Sequence, residues 1–238
     1  MVFSVVAVVL IWASLAVGEE VSLKSAPLNP EFIKYLERLE PAERNFGLIP
    51  LPVDLGKHKR ESFKAKVSLP SRYDLRNRGL LTSVKDQGSY GTCWAFATYG
   101  SLESHLLLRG RGSYDFSERN LINLCGYDDP WNKGGNILKS MAYLSRGSGP
   151  VPESQDPYIL GPGSSPILDG TLYVENAVVL PGREDVYDND YIKEAIYIYG
   201  GVYASMYYDK PFFNSSAKTY YCGVPGYISN HAVVLVGW

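Results

Sequence analysis

An α+β fold in two lobes is predicted by the order of patterns along the chain. Helical periodicities gather between Cys93 and Gly147, and runs rich in β-branched and aromatic residues close the sequence. A Pro/Gly/Ser-rich stretch from Val151 to Gly182 separates the two. The 238 residues, 45% of them hydrophobic, suffice for one large domain or two small ones plus extra segments. No internal repeat is present.

The apolar run from Val2 to Val17 ends in Ala16-Val17-Gly18, small residues suited to a cut before Glu19. It reads as a signal peptide over residues 1–18 and predicts secretion into an oxidising environment, although no basic residue precedes it. An uncleaved membrane anchor is the alternative, but a span normally needs about 20 apolar residues. Residues 19–68 are polar and punctuated by prolines, as in a prosegment or linker. Within them "NPEFIKYLERLE" predicts a helix, with Asn29 as cap, Pro30 in the first turn and Phe32, Leu36 and Leu39 as an apolar stripe. The following "LIPLPVDLGKHKRESFKAK" is expected to be extended and then basic, with "KHKRESFKAK" its protease-accessible end. A solvated loop that stays attached is the competing reading.

Residues 69–238 form the expected main domain. "CWAFATYGSLESHLLL" predicts a helix from Cys93 to about Leu108, in which Ala97, Gly100 and Ser104 leave room for a closely packed neighbour. "SERNLINLC" (Ser117 to Cys125) predicts a second helix capped by Ser117. "NILKSMAYLSRG" (Asn136 to Gly147) predicts a third, stopped by Gly147 and Pro150. "DNDYIKEAIYIYGG" holds a fourth, between a capping Asp and a Gly pair. "VYASMYY" (Val202 to Tyr208) and "HAVVLVGW" (His231 to Trp238) read as strands. The Tyr-rich run from Tyr187 to Tyr208 is expected to pack inside rather than form a binding surface.

A net charge of −2 without a basic block gives no footprint for nucleic acid. CxxC, HExxH, EF-hand, GxxxxGK[ST] and GxSxG patterns are all missing, so no metal or cofactor is expected. What remains is Cys93, in "DQGSYGTCWAF". It falls where a helix starts, and the free N–H groups there favour a thiolate. A nucleophilic thiol also needs a base and oxyanion donors. Of three histidines, His58 lies in the presumed prosegment, and His105 is twelve residues along the same helix, about 18 Å away. That leaves His231 as the base. The Gln87 side-chain amide, with the Cys93 N–H, suits an oxyanion hole.

"DQGSYGTCWAF", "KGGN" and "NHAVVLVGW" together resemble the papain-type (C1) cysteine peptidases, over roughly residues 69–238. The resemblance implies a papain-like two-lobed fold, in which a helical lobe carries the cysteine on its central helix and faces a β-rich lobe. It implies a peptidase made as a zymogen, which hydrolyses polypeptides through a thioester, with Cys93 as nucleophile, His231 as general base and acid, and Gln87 as oxyanion donor. Gly134 and Gly135 match the glycine pair that binds extended substrate, and Asn230 matches a site-lining position. Trp94 is expected to pack the helix start.

The chain also departs from the family. Two positions that usually form a disulfide are Tyr90 and Asn132, so packing, with Tyr90 filling the space, must hold that loop. The family's orienting asparagine would lie beyond Trp238. Cys222 matches a position whose partner lies downstream, and Cys125 has no evident partner. The expectation is therefore a chain truncated at its C-terminus with an incomplete right lobe, a Cys125–Cys222 bridge being the alternative. The wording around Cys93 looks most like a secreted subgroup in which a lectin-like module can follow. A catalytically weak or inactive binding or adhesion module on the same fold is the rival function.

Overall fold

The computed structural model describes residues 27–37, 46–55, 67–183, 185–224 and 226–238. The expected signal peptide, His58 and the "KHKRESFKAK" stretch lie outside the described residues. Five α-helices are seen among the described residues: α1 (Pro30–Glu37), α2 (Cys93–Leu108), α3 (Glu118–Leu124), α4 (Ile137–Ser145) and α5 (Asp190–Tyr199). Four short strands follow: β1 (Val202–Met206), β2 (Phe213–Asn214), β3 (Thr219–Tyr220) and β4 (His231–Leu235). β1 pairs antiparallel with β4, and β2 with β3. Helices come first and strands last, and the strand-bearing lobe is sparse, as the sequence predicts.

α2 is the axis. It is apolar on nearly every side, and such a helix is stable only when covered all round. On one side α3 and α4 pack against it, and Trp94 and Tyr99 join Phe116, Leu121, Ile122, Tyr143 and Leu144 in the main core. On the other side lie β1 and β4. The small residues of α2 face them. Ala97 packs with Cys93 and Ala232, and a Cβ on Gly100 would stand 3.1 Å from Val234 Cγ2. Ser104 Oγ donates to the Leu80 carbonyl and accepts from the Gly201 N–H, each at 2.8 Å. The β1–β4 register runs from Val202 opposite Leu235 to Met206 opposite His231, and Ala232 of β4 meets Cys93 at the head of α2.

Caps fix the helix starts. Asn29 Oδ1 accepts from the Glu31 N–H, Ser117 Oγ from the Asn120 N–H, and Asn136 Oδ1 from the Leu138 N–H. The expected aspartate cap of α5 is not made. Asp185 Oδ1 takes the Tyr187 and Asp188 N–H groups in the preceding turn, and Asn189 sits at the cap position with its side chain bonded to Arg183 and the Val186 carbonyl instead of a helix N–H. Tyr73 and Trp238 lie side by side, their backbones exchanging bonds of 3.0 and 2.8 Å. The Tyr-rich run is divided: Tyr191 is buried, whereas Tyr187 is exposed.

Beside α2 the core holds charge. Lys85 Nζ lies 2.8 Å from Glu118 Oε1, 2.7 Å from Asp115 Oδ1 and 3.5 Å from Glu103 Oε1, and both glutamates are about 1% exposed. Burial works against the Lys85 charge, but Glu118 and Glu103 outweigh it and hold the ammonium protonated. One ammonium cannot neutralise three carboxylates. A proton stays on Glu118, whose Oε2 has no partner and whose carboxyl burial pushes up to about 8. An acid raised in the folded state stabilises fully below its unfolded value, and that stability is lost as pH rises through the folded one. Between pH 4.5 and 8 this should cost about 2–5 kcal/mol. Melting curves should show a midpoint that falls over this window in the native chain and falls less steeply in Glu118→Gln; equal slopes would contradict it.

Candidate active site

Cys93 is the first residue of α2 and is 1% exposed. Its Sγ accepts the Ala232 N–H of β4 at 3.3 Å, and His231 is the residue just before that contact in the chain. The expected bond between thiol and imidazole is not made: His231 Nδ1 is buried without a hydrogen-bond partner. The imidazole ring instead faces Phe46 at 5.0 Å and Tyr208 at 5.8 Å between centroids. Burial lowers the His231 pKa. Burial also pushes the Cys93 thiol up to about 12, against the pull of the Ala232, Trp94 and Cys93 N–H groups. Burial therefore works against the expected helix-start thiolate. The reason is steric, because the site is filled.

The filler is the chain's own segment 46–49. The Phe46 carbonyl accepts from Gln87 Nε2 at 3.0 Å and from the Cys93 N–H at 3.4 Å. The two donors named from sequence thus converge on one oxygen. Gln87 Nε2 is held by a second bond to the Tyr90 carbonyl at 2.7 Å. Beyond Phe46 the segment runs parallel to Gly135: the Gly135 N–H donates to Gly47 O and the Ile49 N–H to Gly135 O, both at 2.8 Å. The Leu48 N–H donates to the Asn230 carbonyl at 3.4 Å, and Leu48 is buried against Cys93. Gly47 has φ +106°, and a Cβ there would stand 1.9 Å from the Gly91 carbonyl oxygen.

Asn230 presents its backbone to the cleft, while its side chain accepts from the Tyr208 N–H at 2.7 Å and donates to Tyr208 O at 3.0 Å. Gly135 packs so closely on Trp94 that a Cβ would fall 2.6 Å from the indole. Gly134, at φ +80°, offers its carbonyl to Lys139 Nζ at 2.8 Å. Trp94 is fully buried at the helix start, as expected. Tyr90 packs edge-on against Trp131 at 5.3 Å, holding the loop that lacks the family's crosslink. His105 Nδ1 lies 2.8 Å from the Tyr199 carbonyl, a contact between helices far from the cleft chemistry.

All three cysteines are free, so the alternative Cys125–Cys222 bridge is not formed. Cys125 is buried in the helical core, whereas Cys222 follows β3 in the other lobe. Among the described residues, no group of three or more His, Cys, Asp or Glu could hold a metal ion, and no helix is long and apolar enough to cross a membrane.

Three contributors escaped the sequence reading. Segment 46–49 is the first; its signal is "FGLI", an apolar cluster with a glycine in a polar stretch. Tyr158 is the second: its hydroxyl donates to the Gln87 carbonyl at 2.9 Å and lies 3.0 Å from Thr92 Oγ1, bracing the loop ahead of Cys93. Tyr203 is the third. It packs on the Cys93 cluster with its hydroxyl buried and unpartnered.

A family profile described as papain family cysteine protease matches residues 69–238. The chain belongs to the papain family. Among its papain-family relatives, the viral cathepsin of Heliothis zea nuclear polyhedrosis virus is 31% identical over 180 residues, covering 72% of this chain and 46% of that protein. Cysteine proteinase B of Leishmania mexicana is 27% identical, covering 76% of this chain and 41% of that one. Among solved structures, the cysteine protease and lectin-like domains of Cwp84, a surface layer associated protein of Clostridium difficile, superpose with a TM-score of 0.72 at 28% identity. That match covers 90% of this chain and 48% of the other. Procathepsin L2 from Tenebrio molitor larval midgut shares the fold, with a TM-score of 0.69 at 23% identity over 88% of this chain and 66% of that one. The chain spans under half the length of the curated papain-family relatives it matches.

Proposed function

We propose that this chain is a secreted cysteine endopeptidase held latent by its N-terminal segment. The observation that carries the reading is the Phe46 carbonyl, seated on Gln87 Nε2 and the Cys93 N–H beside the thiol. Two donors aimed at one carbonyl oxygen next to a nucleophile are what acyl transfer requires. A substrate carbonyl would take that place once the segment leaves. Cys93 thiolate attacks it, the two donors hold the oxyanion, and His231 protonates the leaving amine. His231 then activates water, which hydrolyses the thioester. The Gly134–Gly135 edge would hold the acyl side as an added strand, Asn230 contributing its carbonyl. If so, residues 46–49 run in the opposite sense to a substrate, which blocks the site without presenting a bond for cleavage.

Residues 19–68 are then the prosegment and 69–238 the peptidase domain. The pattern of residues 1–18 supports secretion, as does a structural neighbour that is a surface layer associated protein. The lectin-like domain of the same neighbour supports a similar module downstream in this protein. The test is hydrolysis of an unstructured protein such as casein at pH 5–6 after the segment has been displaced. The native sequence should hydrolyse it, and Cys93→Ala should lose at least about 10³-fold. Equal turnover by both would overturn the reading, and no turnover by either would favour the binding-module rival.

A further inference from the structure

We infer that the aromatic box beside His231 is a recognition pocket for a large aromatic side chain, filled here by Phe46. The inference rests on the peptidase reading above and adds the side chain that the cleft selects. The Phe46 ring meets Tyr208 edge-on at 5.1 Å and His231 at 5.0 Å, and Tyr208 and His231 are 5.8 Å apart. Three rings in mutual contact at these separations form an electrostatically favourable aromatic cluster.

The wall is built to keep its shape. Asn230 holds the Tyr208 backbone at both its N–H and its carbonyl. Behind the ring, Tyr220 of β3 stacks on Tyr208 at 5.3 Å, and Phe213 of β2 lies at 6.4 Å. The small β2–β3 sheet thus serves as a backing for Tyr208.

Position decides which residue of a substrate enters. The Phe46 carbonyl marks the place of the scissile carbonyl, and residues 47–49 leave along Gly135. The Phe46 ring lies on the other side, against the imidazole that must protonate the leaving amine. The pocket therefore receives the side chain of the first residue on the leaving-group side of the cleaved bond. A rigid aromatic wall there favours Phe, Tyr or Trp over small or acidic residues.

Two measurements test this. In the intact chain, Phe46→Ala should raise the rate of Cys93 alkylation by iodoacetamide about tenfold, whereas Phe46→Trp should stay near the native rate. In a Gly47→Ala background, two quenched peptides differing only in Phe or Ala after the cleaved bond should differ about 30-fold in kcat/KM. Tyr208→Ala should reduce that ratio to about threefold, and Tyr208→Phe should restore it. Equal alkylation rates for Phe46→Ala and the native chain, or a peptide ratio that Tyr208→Ala leaves unchanged, would overturn the pocket. Cleavage of neither peptide, with Phe46→Ala still accelerating alkylation, would leave the pocket standing and overturn the peptidase reading instead.

Discussion

Replacing Gly47 by Ala should expose Cys93, raising its alkylation rate by iodoacetamide at least about 100-fold. The effect is steric. Gly47 has φ +106°, where a side chain is strained, and its Cβ would lie 1.9 Å from the Gly91 carbonyl oxygen and 2.0 Å from the Gly91 carbon. Neither is the end of a flexible side chain, so the segment itself must lift. Lifting it breaks the Gly135–Gly47 and Ile49–Gly135 bonds and frees the two donors held by the Phe46 carbonyl. A state that must open before it reacts is labelled in proportion to its open fraction, and each 1.4 kcal/mol of lost closure is tenfold in that fraction. The substitution touches no side chain of residues 69–238, so the thermal midpoint of the domain serves as the control. A native labelling rate in Gly47→Ala would show that the segment does not guard the thiol.

Gln87→Ala, in the same opened background, should lower kcat for peptide hydrolysis about 10²–10³-fold and leave the alkylation rate within about threefold. The two reactions differ in what they build. Hydrolysis passes through an oxyanion, and a lost donor costs about 3–4 kcal/mol at that point. Alkylation displaces iodide at a saturated carbon and forms no oxyanion. The split separates a donor from a structural support, for which Gln87 is also placed, through its bond to the Tyr90 carbonyl. Parallel losses in both reactions would mean that Gln87 merely shapes the loop.

Much of the scaffold was legible because its signals are local. The Cys93–Leu108 helix, the Ser117 cap and the small residues Ala97, Gly100 and Ser104 are all written within a few positions of where they act. The last strand was legible for the same reason, though it ends at Leu235, and Val236 and Trp238 of the expected run bond instead to Leu75 and Tyr73. The candidate site was legible as a set of residues but not as a state. The contacts that fill it join residues far apart in the chain, Phe46 to Gln87 and Gly47 to Gly135, and nothing within 46–49 announces its receptor. That occupancy works against the thiolate expected of Cys93, since burial opposes the pull of the helix start. The Lys85–Glu103–Glu118 cluster was invisible for a similar reason: each charge reads as surface until the fold encloses it.

Peptide hydrolysis here requires Cys93 and His231 to work as a pair once the segment is displaced. The direct measurement is the pH profile of Cys93 alkylation in Gly47→Ala, with and without His231→Ala. A working pair predicts fast alkylation already at pH 5–6, and its loss in His231→Ala, where the rate should rise only as a free thiol ionises near pH 8.5. Superimposable profiles, both rising only above pH 8, would contradict it.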